Sequence, residues 1–136
     1  MKKTLKMTAA LVLIIAFVMS VCACAKIPAE GLWENATYRK DTTLGDGSKT
    51  VTVDVEVGEY SVAITIKTDA KTLGEALYAE GVINDPSFFD TCNGIVADWN
   101  KDKAYWGFYK GEELMSVGVD GVEITGGERY RIAYTK

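Results

Sequence analysis

Thr50-Val51-Thr52-Val53-Asp54-Val55-Glu56-Val57, then Gly58-Glu59, then Val62-Ala63-Ile64-Thr65-Ile66-Lys67, is the stretch that decides the fold. Its apolar residues fall at every second position and are mostly β-branched. Successive side chains in a strand point to opposite faces, so this is the pattern of a half-buried strand. Gly58-Glu59 is a turn, and the two strands make a hairpin. A hairpin alone cannot bury its apolar face, so something must cover it.

The cover follows at once. Thr72-Leu73-Gly74-Glu75 opens a helix, with Thr72 as N-cap and Glu75 completing a capping box. Leu73, Ala76 and Leu77 form its apolar stripe, and Gly81 suits its C-terminal stop. Beyond Asn84-Asp85-Pro86-Ser87, a turn, Phe88-Phe89 is expected to tuck inward. Gly94–Trp99 reads as a strand, Asn100–Lys103 as a hairpin turn, and Ala104–Lys110 as an aromatic strand. Leu114–Val119 and Val122–Ile124 read as short extended pieces. Arg129–Thr135, with Tyr130, Ile132 and Tyr134 alternating, reads as a last strand. Upstream, Leu32–Tyr38 is a candidate edge segment and Asp41–Lys49 a loop. A hairpin, a helix and then several strands predict a small β-rich α+β domain, a mixed, grasp-like sheet with one packed helix.

The first residues carry an address. Lys2, Lys3 and Lys6 precede an apolar run from Ala9 to Met19, then Val21-Cys22-Ala23-Cys24. Basic, apolar, then small is the layout of a secretory signal. A cysteine directly after a small residue resembles the lipobox of bacterial lipoproteins. That resemblance implies a signal peptide over 1–23 and a lipid on Cys24. It also implies a lipid-anchored tether over 24–31, a domain over 32–136, and a location on the extracellular side of the cell membrane. Cys22 is the weaker candidate, because the larger, branched Val21 precedes it.

Composition narrows the function. Three of the 15 basic residues lie in the signal, leaving 12 against 19 acidic ones and a net charge of −7 over the 113 residues from Cys24. An acidic domain repels phosphate backbones, so no nucleic-acid partner is expected. The chain has no histidine, which removes the commonest general base and the commonest transition-metal ligand. No nucleophile constellation stands out, so an enzyme is not expected, nor a resident cofactor or metal. Asp98-Trp99-Asn100-Lys101-Asp102 has calcium-loop spacing at its start, but Lys103 and Tyr109 stand where glycine and glutamate belong. Beyond the lipobox, Cys92 is the lone cysteine and reads as a small buried residue.

Several features together resemble one family. Thr72-Leu73-Gly74-Glu75-Ala76-Leu77 follows a hairpin, and Asn93-Gly94-Ile95, Tyr105-Trp106-Gly107-Phe108-Tyr109 and Gly118-Val119 come in order. The chain closes on a turn and Tyr130-Arg131-Ile132-Ala133-Tyr134. These are similar to the transcobalamin-like C-terminal domain of bacterial surface lipoproteins. The family is named for the smaller domain of animal cobalamin carriers, which closes over a corrinoid held mainly by a helical barrel. This chain has no room for that barrel. The resemblance implies an extracytoplasmic lipoprotein that binds a small ligand, with cobalamin or another corrinoid as the candidate, and passes it to a membrane transporter. The alternative is a cell-surface protein-interaction module using an exposed sheet edge or aromatic face, with no small-molecule ligand.

The aromatic strand supplies the candidate site. Tyr105, Gly107 and Tyr109 share one face and Trp106 and Phe108 the other. Burying Trp106 and Phe108 leaves Tyr105 and Tyr109 flanking a glycine as a platform, which Trp99 extends. Arg129 and Arg131 share one face of the last strand and read either as an anion grip or as a solvated edge.

Overall fold

The computed structural model describes residues 29–136. The expected signal peptide, Cys24 and the tether up to residue 28 lie outside the described residues. In chain order the elements are α1 (Ala29–Trp33), β1 (Thr42–Gly45), β2 (Lys49–Val57), β3 (Tyr60–Thr68) and α2 (Leu73–Ala79). There follow β4 (Thr91–Cys92), β5 (Ile95–Val96), α3 (Trp99–Asp102), β6 (Tyr105–Lys110), β7 (Glu113–Leu114), a 3-10 turn (Val119–Gly121) and β8 (Glu128–Thr135).

One sheet runs β1-β3-β2-β8-β6-β7, and β4 and β5 form a separate two-stranded ribbon. The β2–β3 hairpin is antiparallel with Val57 opposite Tyr60, as the alternation predicts. β8 lies beside β2 and parallel to it, and β6 lies antiparallel to β8. A leading hairpin, a helix and a final strand returning parallel to the first hairpin strand make the arrangement grasp-like. β1 is an added edge, parallel to β3.

Burial decides which way the sheet faces. Val51, Val53, Val55, Val57, Val62, Ile64 and Ile66 are at most 1% exposed. At about 1.5–3 kcal/mol per side chain, these seven contribute on the order of 10–20 kcal/mol. The opposite face carries ion pairs, each worth at most about 1 kcal/mol at a surface. The apolar face therefore turns inward, beneath Leu73, Ala76 and Leu77 of α2, the 82–97 segment and Val119, Val122 and Ile124.

α2 begins where its cap predicts. Thr72 accepts a hydrogen bond from the Glu75 amide at 3.2 Å. At its other end Gly81 sits at φ +73°, its amide bonds to the Tyr78 carbonyl, and the Val82 amide bonds to that of Leu77. This is the Schellman arrangement that a glycine there permits.

Four expectations are corrected. Leu32–Tyr38 is no edge segment: Leu32 and Trp33 end α1, whose Ala29 and Trp33 are buried, with Trp33 stacked on Tyr60 at 5.6 Å. Ala29, which falls in the span read as tether, is thus packed against the domain. The edge strand comes instead from Thr42–Gly45, where Asp41 accepts the Ala63 amide at 2.9 Å and Leu44 packs against the core. Turn-forming residues concealed it. Gly94–Trp99 and Asn100–Lys103 do not form a hairpin with the aromatic strand: only Ile95–Val96 pair, with β4, and Trp99–Asp102 is a helical turn capped by Asp98. Of Leu114–Val119 and Val122–Ile124, only Leu114 enters a named strand, and Glu123 makes a single bridge to Thr72.

Candidate functional site

The aromatic strand folds as its alternation predicts: Trp106 and Phe108 are buried and Tyr105 is 45% exposed. Trp106 meets Tyr134 edge-on at 5.6 Å, and its indole N–H donates to the Asp90 carbonyl at 3.0 Å. Phe108 packs against Tyr130 at 5.4 Å. Burial raises the phenol pKa of both tyrosines; nearby Glu128 adds to this for Tyr130, and Asp102 and Asp98 for Tyr134.

The expected tyrosine platform is divided. Tyr109 folds its ring over Gly107, where an added Cβ would meet ring carbon at 2.8 Å. The Arg131 guanidinium stacks on that ring at 4.3 Å and bonds to Glu56 at 3.2 Å. Glu56, Arg131 and Tyr109 thus form a ladder across three adjacent strands. Arg129 makes a two-pronged pair with Asp54, at 2.7 and 2.6 Å, which raises its pKa. β8 is interior to the sheet, so neither arginine guards an edge, and each already has a carboxylate. Tyr105 instead joins Trp99, ring centres 6.3 Å apart, with the Lys103 ammonium 5.4 Å above the indole.

Sequence reasoning missed a groove on the other side of β6. Phe88, expected to tuck inward, is 92% exposed, while Phe89 packs partly against the core. The reason is local. Asp85 accepts the amides of Ser87 and Phe88 at 2.8 and 3.0 Å, which lowers its pKa and fixes a tight turn. Adjacent residues then cannot both face the core. Phe88, Phe89, Trp106, Phe108 and Val119, with Ser87, Gly118 and Asp120 at polar positions, line an open groove of about 300 Å³. Beside it, β6 pairs with β7 only at Tyr109 and Lys110, so no described strand flanks Tyr105–Gly107 on that side. The signal for this groove was the turn chemistry of Asp85-Pro86-Ser87, which can outweigh hydrophobicity at the next residue.

Asn93 holds the layer beneath. It is buried at φ +52°; its side chain accepts the Tyr38 amide and donates to the Tyr38 carbonyl, both at 2.9 Å. Cys92 beside it is fully buried, and burial pushes its thiol pKa far up, as suits a core residue. Asp98, the first residue of the calcium-like spacing, accepts the Lys101 amide. No group of three or more His, Cys, Asp or Glu side chains converges for a metal ion among the described residues.

With this geometry in view, comparison with known proteins shows a solved relative of the fold. A crystal structure described as a "putative metal binding protein" from Ruminococcus gnavus ATCC 29149 is 27% identical, with a TM-score of 0.59. The match covers 65% of this chain and 98% of that one. Haptocorrin in complex with Cbi matches at 20% identity and a TM-score of 0.45, over 65% of this chain and 25% of that one. No family model and no curated protein matches the chain.

Proposed function

We propose that this protein is a lipid-anchored, extracytoplasmic binding protein with a transcobalamin-like fold. It holds part of a ligand of the corrinoid class in the groove beside β6 and passes it to a membrane transporter. The observation that carries this is Phe88, 92% exposed beside Phe89, Trp106 and Phe108. Hydrating so much aromatic carbon is unfavourable, by about 25 cal/mol for each Å² left in water. A flat ligand edge covering it recovers that energy. At about 300 Å³ the groove is at the small end of ligand pockets, roughly 300–1,000 Å³. It therefore grips one edge of a macrocycle and leaves the rest open for hand-over. A lining of aromatic carbon with one carboxylate, Asp120, does not select a metal ion.

The test is tryptophan fluorescence with cobalamin and simpler corrinoids, on a soluble chain beginning at Ala25. Emission must be corrected for corrinoid absorption and binding confirmed by calorimetry. Trp106 lines the groove, so occupancy changes its emission. Phe88→Ala is expected to weaken binding at least tenfold, the equivalent of about 1.4 kcal/mol. Tyr105→Ala/Tyr109→Ala is expected to bind like the parent chain; loss there instead would move the site to the opposite sheet face. No binding at high micromolar concentration rejects the corrinoid ligand. The Tyr105–Gly107 stretch, which β7 does not reach, favours one second reading, a protein-interaction module to which a partner adds a strand.

A further inference from the structure

The two ends of the sheet differ, and the register fixes which end meets the chain's entry point. The turn at Gly58 closes β2 and β3, and a Cβ built on Gly58 would lie 2.7 Å from that of Ala29. Trp33 stacks on Tyr60 at the same end. The chain therefore enters the domain there. β8 runs parallel to β2 and finishes at this end, and Tyr105 stands opposite Thr135. Tyr105 and the preceding α3, which carries Trp99, thus belong to the entry end. β6 lies two strand spacings from β2, about 10 Å across.

We infer that Trp99, Tyr105 and Lys103 form a patch that rests on the lipid–water interface beside the anchor. This rests on the reading of Cys24 as lipidated. Four residues, Ala25 to Pro28, separate Cys24 from Ala29. Fully extended, five Cα steps reach at most roughly 18 Å. The anchor therefore holds the entry end, and not the opposite one, against the bilayer.

The patch has the chemistry for that place. Trp99 is 57% and Tyr105 45% exposed, two amphipathic rings of the kind enriched at membrane interfaces. Lys103 lies over the indole and can bury its stem while its ammonium stays in the headgroup layer. The arrangement is built: Asp98 caps α3, and Lys103, at φ +54°, closes it by donating its amide to the Trp99 carbonyl at 3.0 Å. Locally Asp98 and Asp102 balance Lys101 and Lys103. The contact is therefore neutral, and it should need neither anionic lipid nor low salt.

The test uses the full lipidated chain in phosphatidylcholine vesicles, with plain or brominated acyl chains, alongside Trp99→Phe. Flotation reports the anchor and emission reports the patch. The expected result is a loss of emission in brominated vesicles that is unchanged by salt and that Trp99→Phe largely removes, because Trp33 and Trp106 are buried. A chain that floats but emits equally in both vesicle types overturns the docking alone. A chain that does not float overturns the anchor, and the docking with it.

Discussion

Asn93 shows how one polar residue organises a core layer. Its side chain reproduces a backbone's donor and acceptor for Tyr38, while its own amide bonds to the Val82 carbonyl at 2.7 Å and its carbonyl accepts the Thr37 amide at 2.9 Å. It thereby ties the segment after α1 to the segment after α2. Asn tolerates positive φ better than most residues. Asn93→Ala removes both side-chain bonds and keeps the unfavourable φ. The expected loss is about 2–4 kcal/mol, read as a lower urea midpoint at unchanged slope. Asn93→Gly relieves the backbone alone and is expected to recover only part of that loss. Asn93-Gly94 was visible in the sequence only as part of a family resemblance; its hold on Tyr38, 55 residues away, was not, because sequence distance hides such a partner.

At the scale of elements, α2 and the Phe88 loop are set by close approach. A Cβ on Gly74 would stand 2.1 Å from the Pro86 carbonyl oxygen. Helix propensity alone predicts that Gly74→Ala stabilises by about 1 kcal/mol. The clash is with backbone, which cannot rotate away, so overpacking of about 1–3 kcal/mol wins. Gly74→Ala is expected to lower the melting temperature and, by shifting the Pro86 loop, to weaken corrinoid binding in the titration above. A rise in melting temperature would show the loop to be freer than this packing implies. The α2 sequence displays its cap and stripe; Gly74 reads there only as a weak helix former. The same limit applies to the candidate site. Alternation placed Trp106 and Phe108 inside correctly, but could not show that Tyr109 would lie over Gly107 or that Phe88 would stand out.

For the whole molecule, the decisive contact joins the first hairpin to the last strand. β8 is held between β2 and β6, and Ile132 and Tyr130 fill the core from it. Its entry turn is clamped by Glu128, whose carboxylate accepts the Thr125 amide at 2.8 Å and also that of Gly126. Those bonds hold the Glu128 pKa below its ordinary value, though burial opposes them. A chain ending at Gly127 loses the strand that bridges the two halves of the sheet. It is expected to show no cooperative urea transition and no protected β2 amides by hydrogen exchange. Protection of β2 in that chain would mean that the β2–β3 hairpin and α2 fold without the bridge.

By itself the sequence determined the hairpin, the capped helix, the aromatic strand and its inward face, and the α+β class. Each is written in local periodicity, where side-chain direction follows from position, or in a cap that spans three residues. Tertiary structure alone decided that Thr42–Gly45 is an edge strand, that Arg129 and Arg131 are spent on Asp54 and Glu56, and that Phe88 is left in the open. Those outcomes depend on which distant groups arrive alongside, and on a turn whose hydrogen bonds prevail over the burial of one ring.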